Sequence, residues 1–472
     1  MSHSSPAPHR PRRDHDATPP PVLLPPVSLL HCLVFCVCLA PQLLLQAGIR
    51  ATFASILQAL PFLVLQMPLD VAHRQLAGWR RGRAEQQQQQ QRPSLFEEVV
   101  LCCVRWAFIH TDPHVGRVFF SRSVALPFHR FRQLQALGAG RLVRAALSHA
   151  LSFTTFLLPP FAASLMPWPR PRPVSILRWR EHHDEHFRGM WITYDASRPP
   201  DIVLFFVHGG GFVLGSSHFY LEFLLAWAAL LMEGSPGDEK PAGFRNPAIF
   251  SLDYTLAPDA VFPTQIDEAA HAYAHVLSTA AQGDPARIVV AGDSAGGTIV
   301  LSLLLRLSQT PPLERPPPPP LPLPLPGMAV LISPWVTLRS QRYRRSANDY
   351  IDAETLASYA ALYEGKTAGA PGISGEDPVL SPGHCRDSKW WRRACPAKGI
   401  FATYGAEEVF APEIRAWVDR LQADGVDVQT SVDDGGLGVH AWPVASLFLA
   451  RSNARRFEGL RRVVGEVKRR MR

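Results

Sequence analysis

Residues 288–297 read IVVAGDSAGG, and this stretch decides the fold of the chain. Its first four residues are apolar, and most are β-branched, so they predict a short buried strand at Ile288–Ala291. A helix-length segment begins near Thr298, and a serine flanked by glycines lies between the two elements. A Gly-x-Ser-x-Gly turn in that setting holds its serine in a strained strand-to-helix bend, where larger flanking side chains would clash. The stretch therefore predicts Ser294 as a nucleophile at the end of a sheet strand.

From about Val174 onwards, the chain repeats this alternation of short apolar runs and helix-length segments. Continuous apolar runs indicate strands that are buried on both faces, and the intervening helices allow neighbouring strands to run parallel. We therefore predict an α/β fold with a mostly parallel central sheet and helices on both of its faces. The other predicted strands are Ile202–Val207, Ala248–Leu252, Ala329–Ile332, Gly399–Tyr404 and Val426–Val432, and the predicted helices include Thr264–Ala280 and Thr298–Ser308.

A second motif, the sequence HGGGF at residues 208–212, directly follows the first of these strands. A serine that attacks a carbonyl group creates a tetrahedral oxyanion, which needs N–H donors close to the developing charge. Glycines let backbone N–H groups approach that oxygen because no side chain intervenes, and the residue after the nucleophile supplies a further donor. The predicted oxyanion hole consists of Gly209, Gly210, Gly211 and Ala295.

The base and the acid that assist such a serine follow it along the chain, the acid first and the histidine second. After residue 404 the chain contains a single histidine, His440, in a glycine-rich loop behind the last predicted strand. His440 is therefore the predicted base, which takes the proton of the serine hydroxyl. The acid should follow the strand Gly399–Tyr404, where Glu407 and Glu408 are adjacent candidates.

Taken together, these motifs resemble those of the hormone-sensitive-lipase-like branch of the α/β-hydrolases. The segment 253–258 (DYTLAP) and the segment 333–335 (SPW) add to the resemblance, which covers roughly residues 175–465. The sequence departs from the family at Thr255, where Arg is usual, and at Asp259, where Glu is common. Neither departure falls on a predicted catalytic residue.

The resemblance implies an α/β-hydrolase fold and an enzyme that cleaves carboxylic esters. The family pattern around the acid, Gly-x-x-acid-x-Leu, selects Glu408, with Glu407 as the runner-up. Family members build a lid over the acyl pocket from an insertion, here about residues 337–391, and from N-terminal residues. Membrane-bound steryl acetyl hydrolases of the fungal type and arylacetamide-deacetylase-like enzymes share the layout of an anchor followed by a catalytic domain.

Charge and cysteine usage limit the partners of the chain. Its 472 residues carry a formal charge of +8, and the basic residues concentrate near the N-terminus, in residues 74–83 and near the C-terminus. Because no nucleic-acid-reading motif accompanies them, long apolar stretches beside basic clusters favour a membrane surface over nucleic acid. The seven cysteines form no disulfide framework, and the pairing of Cys385 with Cys395 stays open. No metal-ligand spacing is present, and we expect neither a metal nor a cofactor.

The N-terminal part contains apolar runs that are long enough to enter a membrane. Residues 27–47 contain no Asp, Glu, Lys or Arg and are long enough to cross a bilayer. We predict that they anchor the protein in a membrane, with the endoplasmic reticulum as the location. A second uncharged run, residues 51–69, follows Arg50, so the anchor is either a single span or a hairpin. A cleaved signal peptide is the rival interpretation of the first run.

The predicted domain organisation follows from these runs. Residues 1–26 form a disordered Pro-rich leader, residues 27–69 the anchor, and residues 70–173 a linker with an N-terminal lid or membrane-associated region. The catalytic domain comprises residues 174–472. Within it, the Pro/Leu insert 311–326 is compatible with neither a helix nor a central strand, so we predict a surface loop.

Two functional hypotheses of different classes remain. The favoured one is a serine carboxylester hydrolase that acts through an acyl-enzyme on small-molecule or lipid esters of apolar character. The alternative is a catalytically silent small-molecule-binding protein on the same fold, a use of this scaffold in plants that accompanies loss of the histidine. Because Ser294, Glu408 and His440 are all present, the sequence favours the enzyme.

Overall fold

The structure is a computed structural model, which describes residues 23–81, 94–136, 177–234, 243–309, 323–346, 349–366, 377–434, 438–450 and 452–472. Most of the predicted leader, residues 82–93 and 137–173 of the linker region, and most of the Pro/Leu insert lie outside these residues. Two parts are distinguished here. We call residues 23–136 the helical layer and residues 177–472 the sheet domain.

An eight-stranded sheet forms the centre of the sheet domain. Its strands are β1 (Arg178–His183), β2 (Arg188–Thr193), β3 (Ile202–Val207), β4 (Pro247–Leu252), β5 (Ile288–Asp293), β6 (Met328–Ile332), β7 (Ile400–Gly405) and β8 (Val428–Asp433). They are ordered β1-β2-β4-β3-β5-β6-β7-β8, and only the β1–β2 and β2–β4 pairs are antiparallel. The predicted α/β fold with a mostly parallel sheet is therefore confirmed.

Helices cover both faces of this sheet. They are α7 (Leu221–Met232), α8 (Thr264–Thr279), α9 (Ala295–Leu307), α10 (Ala353–Tyr363), α11 (Ser388–Ala394), α12 (Ala411–Ala423), α13 (Trp442–Leu449) and α14 (Asn453–Met471). Alternate residues of β3 enter different cores: Phe205 packs with residues of α8 and α9, whereas Phe206 packs with residues of α7 and α14. Burial on both faces explains why the central strands have continuous apolar sequences.

The two strands that the sequence analysis did not predict lie at one edge of the sheet. β1 reads RWREHH and is only partly buried, so it lacks the continuous apolar run of the central strands. β2 reads RGMWIT, and its glycine lies where a Cβ atom would be 2.4 Å from the ring of Phe250. β1 is the edge strand, and an edge strand tolerates such a polar sequence because one side of its ladder has no neighbour. β2 is paired on both sides and mostly buried, but Arg188 and Gly189 leave it only a short apolar run.

The helical layer begins with a succession of helical segments. These are α1 (Leu29–Gln42), α2 (Gly48–Pro61) and α3 (Met67–Arg81), joined by π-helical turns at Leu43–Ala47 and Phe62–Gln66. The helices α4 (Leu95–His110), α5 (Pro113–Phe119) and α6 (Arg122–Ala136) follow. α1 packs on α6, and α3 packs on α4. The two apolar runs on either side of Arg50 are consecutive parts of one continuous helical stretch, in which Gly48 has non-helical backbone angles (φ 84°, ψ 160°). Whether this stretch enters a membrane as a single span or as a hairpin stays a prediction.

The stretch Leu29–Leu76, which we call the apolar helix, is long and apolar enough to cross a membrane by length and composition. Its 48 residues exceed the roughly 20 that a helix needs to cross the hydrocarbon core of a bilayer. One side packs on the layer, where Leu39 meets Val118 and Val124. Most of its other large apolar side chains are exposed. An N-terminal membrane anchor and a signal sequence share these properties.

Buried ion pairs attach the helical layer to the sheet domain. Arg132 of α6 donates two hydrogen bonds to the carboxylate of Glu222 in α7, at 2.6 and 2.8 Å. Arg456 of α14 lies 3.5 Å from the same carboxylate and donates to the Leu24 carbonyl at 2.8 Å. The segment before the apolar helix is thus held by groups that cannot be left unpaired without a large energetic cost.

All seven cysteines lie within the described residues, and each is a free thiol. Cys385 and Cys395, whose pairing the sequence left open, are not bonded to each other. Burial raises the pKa of both thiols, because an apolar environment disfavours the thiolate. Neither thiol therefore has the properties of a reactive nucleophile.

Candidate active site

Ser294 occupies the turn between β5 and α9, with a φ of 51° and a ψ of −120° that few residues other than glycine adopt. Its N–H donates to the Ile332 carbonyl at 2.9 Å, and its own carbonyl accepts from the Trp335 N–H at 3.0 Å. A Cβ atom at Gly296 would lie 2.1 Å from the Val207 carbonyl oxygen, which explains why this position is glycine. The turn is therefore fixed by the strands on either side, β3 and β6.

The glycine run after β3 lies beside this turn. Gly210 and Gly211 have φ values of 116° and 63°, and a Cβ atom at Gly210 would lie 2.1 Å from the Leu214 carbonyl oxygen. The Gly209 N–H donates to Asp293 Oδ1 at 2.8 Å. This contact corrects the predicted role of Gly209, because its donor is already engaged by a carboxylate. The remaining candidate donors are the N–H groups of Gly210, Gly211 and Ala295. Ala295 is the first residue of α9, so its N–H has no partner within the helix.

Asp293 and His208 support the glycine run. Besides the Gly209 N–H, Asp293 accepts a hydrogen bond from the Tyr220 hydroxyl at 2.7 Å. Burial raises the pKa of Asp293 to about 6, and these two donors oppose the rise. The ring of His208 stacks on Tyr254 with centroids 4.4 Å apart, and burial lowers the pKa of His208. Asp293 and His208 therefore stabilise the conformation of the glycine run through buried contacts.

Glu408 and His440 face each other in the interior. The distance from Glu408 Oε1 to His440 Nδ1 is 4.0 Å, and neither atom has a hydrogen-bond partner among the described residues. Glu407, by contrast, has a side chain that is 56% exposed and pairs with Arg344 at 2.9 Å. The structure thus brings Glu408, and not Glu407, to the histidine.

Burial and nearby charges set the protonation of this pair. Burial raises the pKa of Glu408 to about 8, opposed by the Ser333 hydroxyl and the Gly405 N–H, which donate to Oε2 at 2.6 and 3.0 Å. Burial also lowers the pKa of His440, although the carboxylates of Asp349 and Asp293 counteract this effect. A lowered pKa keeps the imidazole neutral and able to accept a proton. Once His440 is protonated, its charge favours the ionised form of Glu408.

Two residues that the sequence analysis did not predict also contact this pair. The hydroxyl of Ser333, which donates to Glu408, accepts from the Ala441 N–H at 2.9 Å. Asp349 accepts from the Val409 N–H at 2.8 Å and from the His440 N–H at 3.0 Å. The SPW segment at 333–335 was a signal for the serine, although no role was predicted from it. Asp349 had no local signal.

The predicted lid segment covers the glycine run together with the helical layer. In α10 of the lid, Tyr363 stacks on Phe212, with ring centroids 3.7 Å apart and an angle of 3° between the planes. Phe108 of α4 packs edge-on against Tyr359 of α10, with centroids 5.4 Å apart. Arg117 of α5 donates to the Val213 carbonyl at 3.0 Å. The surroundings of the glycine run therefore come from the sheet domain, the lid and the helical layer, and they include several aromatic side chains.

Comparison with known families and proteins agrees with this geometry. Residues 240–443 match the family described as having an alpha/beta hydrolase fold. A Schizosaccharomyces pombe protein named as a steryl acetyl hydrolase is 28% identical over 193 residues, 38% of this chain and 45% of that protein. The hormone-sensitive lipase of Bos taurus is 38% identical over 104 residues, 21% of this chain and 12% of that protein.

Arylacetamide deacetylase of Mus musculus is 32% identical over 116 residues, which are 24% of this chain and 26% of that protein. The matched stretches thus span less than half the length of each of these relatives. Among solved structures, an esterase from the bacterial hormone-sensitive lipase family has a TM-score of 0.50 at 20% identity, covering 81% of this chain and 100% of that chain. At that identity the likeness concerns the fold alone.

The sheet order, the strained serine turn and the glycine run define the chain as an α/β-hydrolase. The family match over residues 240–443 and the similarity to hormone-sensitive lipases agree with the resemblance that the motifs indicated.

Proposed function

We propose that this protein is a serine carboxylester hydrolase with Ser294 as nucleophile, His440 as base and Glu408 as acid. The observation that carries the proposal is the buried pair of Glu408 and His440, which face each other at 4.0 Å. An electrostatic interaction of His440 with Asp293, the neighbour of Ser294, supports its placement near the serine turn. A histidine with an acid behind it and a strained serine nearby is the arrangement that acyl transfer requires.

The proposed reaction proceeds in two halves. His440 takes the proton of the Ser294 hydroxyl as the oxygen attacks the ester carbonyl, and the oxyanion is stabilised by N–H groups of Gly210, Gly211 and Ala295. The protonated His440 then gives its proton to the leaving alcohol, which leaves an acyl group on Ser294. In the second half, His440 takes a proton from a water molecule as its oxygen attacks the acyl carbon. The bond to Ser294 then breaks, the carboxylic acid leaves, and His440 returns the proton to the Ser294 oxygen.

Glu408 stabilises the imidazolium form of His440 and fixes the orientation of its ring in this proposal. Their separation of 4.0 Å exceeds a hydrogen bond. Hydrogen bonds of catalytic groups are often long without substrate and shorten in the complex. The buried Glu408 carboxyl is most strongly drawn into its charged form when the imidazole becomes positive, which occurs during the reaction.

We propose esters of apolar character as substrates. The aromatic side chains beside the glycine run, Phe212, Tyr363 and Tyr359, support an apolar acyl or alcohol group. The names of the relatives, which include a steryl acetyl hydrolase, a hormone-sensitive lipase and an arylacetamide deacetylase, support the same class. Turnover of esters with graded acyl lengths, steryl acetates and acylglycerols would rank these possibilities.

We further propose that the apolar helix anchors the protein in a membrane of the endoplasmic reticulum. In this arrangement residues 27–69 belong to the anchor, residues 70–173 to a linker and membrane-associated region, and residues 174–472 to the catalytic domain with its lid. The exposed apolar side chains of Leu29–Leu76 support the membrane contact. Co-fractionation with a marker of that organelle tests the location.

Labelling with a fluorophosphonate probe tests the chemistry. The probe reacts with an activated serine, so the wild-type protein should be labelled and Ser294→Ala should not. Absence of labelling and of ester turnover in the folded wild type would favour the alternative, a silent small-molecule-binding protein. Retained labelling in Ser294→Ala would place the nucleophile elsewhere.

A further inference from the structure

Asp349 is a buried carboxylate between β6 and α10 that ties two loops of the site together. Its Oδ1 accepts from the His440 N–H at 3.0 Å, and its Oδ2 accepts from the Val409 N–H at 2.8 Å. Val409 directly follows Glu408 in the chain. A single side chain therefore links the main chain beside the acid to the main chain of the base.

Tyr350 binds the opposite side of the same histidine. Its hydroxyl donates to the His440 carbonyl at 3.0 Å, and its ring packs edge-on against the imidazole with centroids 5.8 Å apart. Both polar groups of the His440 main chain are thus bound by consecutive residues of one segment. Phe410 packs against the imidazole as well, with ring centroids 5.0 Å apart and planes 87° apart.

The segment that carries these residues is held from the helical layer. Arg105 of α4 donates to the Ser346 carbonyl at 2.8 Å and also to the Asp349 carbonyl. The neighbouring turn of α4 contains Cys102, which packs with Phe62 and Val71 of the apolar helix. Contacts therefore run without a gap from the apolar helix through Arg105 to the base.

We propose that Asp349 and Tyr350 form a clamp that positions the imidazole of His440 for proton transfer between Ser294 and Glu408. The inference rests on the triad proposed above. Because Nδ1 of His440 makes no hydrogen bond to any residue that the structure describes, the bonds of the clamp to the His440 main chain and the ring contact of Tyr350 hold the imidazole in place until it binds Glu408. Both residues act through His440 and are positioning residues.

The charge of Asp349 adds a second consequence. Burial raises its pKa to about 6, so the carboxylate is ionised at neutral pH and able to accept both N–H groups. Its negative charge raises the pKa of His440 against the effect of burial. The other titratable groups that face His440 are Glu408, Asp293 and Tyr350. Loss of the Asp349 charge should therefore lower the pKa of His440 further.

Steady-state hydrolysis of p-nitrophenyl butyrate by the full chain in detergent tests the clamp. Asp349→Asn replaces one acceptor by an amide donor, so one of the two N–H groups loses its partner. We expect kcat to fall about 10- to 100-fold, as for other small misplacements of catalytic groups, with little change in KM. Tyr350→Phe removes one hydrogen bond and should lower kcat less. Active enzyme is counted by end-point fluorophosphonate titration.

Asp352→Asn is the matched control, because Asp352 also accepts from two backbone N–H groups, those of Glu354 and Thr355, but lies at the start of α10. It should leave kcat per active site unchanged. The acid limb of kcat/KM should move to lower pH in Asp349→Asn and stay in place in Asp352→Asn, a shift that a purely structural role would not produce. If Asp349→Asn does not fold, Tyr350→Phe alone decides on kcat.

The outcomes separate this inference from the proposed function. If the wild type is labelled and turns over but Asp349→Asn and Tyr350→Phe keep its kcat and pH profile, the clamp is wrong and the triad stands. If neither Ser294→Ala nor His440→Ala affects turnover, the triad is wrong and the clamp falls with it. A loss of kcat equal in Asp349→Asn and Asp352→Asn would also overturn the clamp, since it would reflect the stability of the lid.

Discussion

The sheet domain and the helical layer treat their apolar residues in opposite ways. In the sheet domain the strands β3 to β7 are fully buried, and among its described residues Val261 is the single large apolar side chain that is strongly exposed. In the helical layer the apolar helix presents a long row of exposed side chains, from Leu29 at 78% to Leu76 at 59%. Most of the large apolar side chains of the apolar helix are therefore not buried in a hydrophobic core.

The two parts thus differ in how much of their apolar surface they bury within the protein. The sheet domain removes its apolar surface from water by folding on itself, at roughly 25 cal/mol per Å² of surface buried. The apolar helix of the helical layer leaves much of its apolar surface exposed, and exposed apolar patches mark interaction surfaces. Chemistry is therefore expected to depend on the sheet domain, and location on the layer.

Three arginines of the helical layer bind the sheet domain across the boundary between the two parts. Arg132 pairs with the buried Glu222, Arg117 binds the loop after the glycine run, and Arg105 binds the lid segment. Directed hydrogen bonds define one arrangement of the layer, whereas apolar contacts alone tolerate sliding. The comparison is therefore tested by changes on either side of this boundary.

The largest effect is expected from the nucleophile and the base. Ser294→Ala and His440→Ala should each lower ester turnover by about 10⁴-fold or more, because the members of a triad act as a unit. Membrane binding, measured by fractionation, should stay at the wild-type level. A variant that loses both activity and membrane association would contradict the separation of chemistry and location.

The acid should have the next largest effect. Glu408→Ala removes the carboxyl group that stabilises the protonated His440 and should lower kcat by about 10³- to 10⁴-fold, less than loss of the nucleophile. Glu407→Ala, the matched control at the adjacent exposed position, should leave kcat within a few-fold of wild type. If Glu407→Ala proves more damaging in the same assay, the acid is assigned to the wrong residue.

A change in the glycine run should have a smaller effect on turnover. Gly210→Val introduces a Cβ atom where the Leu214 carbonyl oxygen lies and displaces the N–H groups of the run. Loss of one oxyanion donor costs about 10²- to 10³-fold in rate. Thermal unfolding separates loss of turnover from loss of folding, and a folded variant with an unchanged turnover number would remove this run from the mechanism.

The smallest effect on chemistry is expected from the exposed face of the apolar helix. Lysine in place of Leu45, Ile49 and Phe53 should release the protein from membranes in alkaline carbonate, since each charge at the centre of a bilayer costs about 2.5–3.5 kcal/mol. Turnover of p-nitrophenyl acetate, a short soluble ester, should remain near wild type. Extraction of the wild type by carbonate would refute the anchor, and protease protection in sealed vesicles would report the side of the catalytic domain.

Particular residues show how far the sequence reached. Ile202–Val207 was predicted with the bounds that β3 has, because a strand buried on both faces leaves an unbroken apolar run. The edge strand β1 was missed because it is only partly buried, and β2 was missed because Arg188 and Gly189 leave it only a short apolar run. The two apolar runs around Arg50 left a single span and a hairpin open, because hydropathy along the chain does not report whether a helix ends at a single charge or continues through it.

The sequence by itself determined the fold class, the serine turn, the glycine run and the single histidine that follows the last strand. These depend on local spacing and on the conformational freedom of glycine, both of which are readable in a few consecutive residues. Only the tertiary structure decided that Gly209 binds Asp293, that Glu408 and not Glu407 faces His440, and that Asp349 binds a residue 91 positions away. Such contacts join separate loops, and their geometry is fixed by the packing of the whole sheet domain.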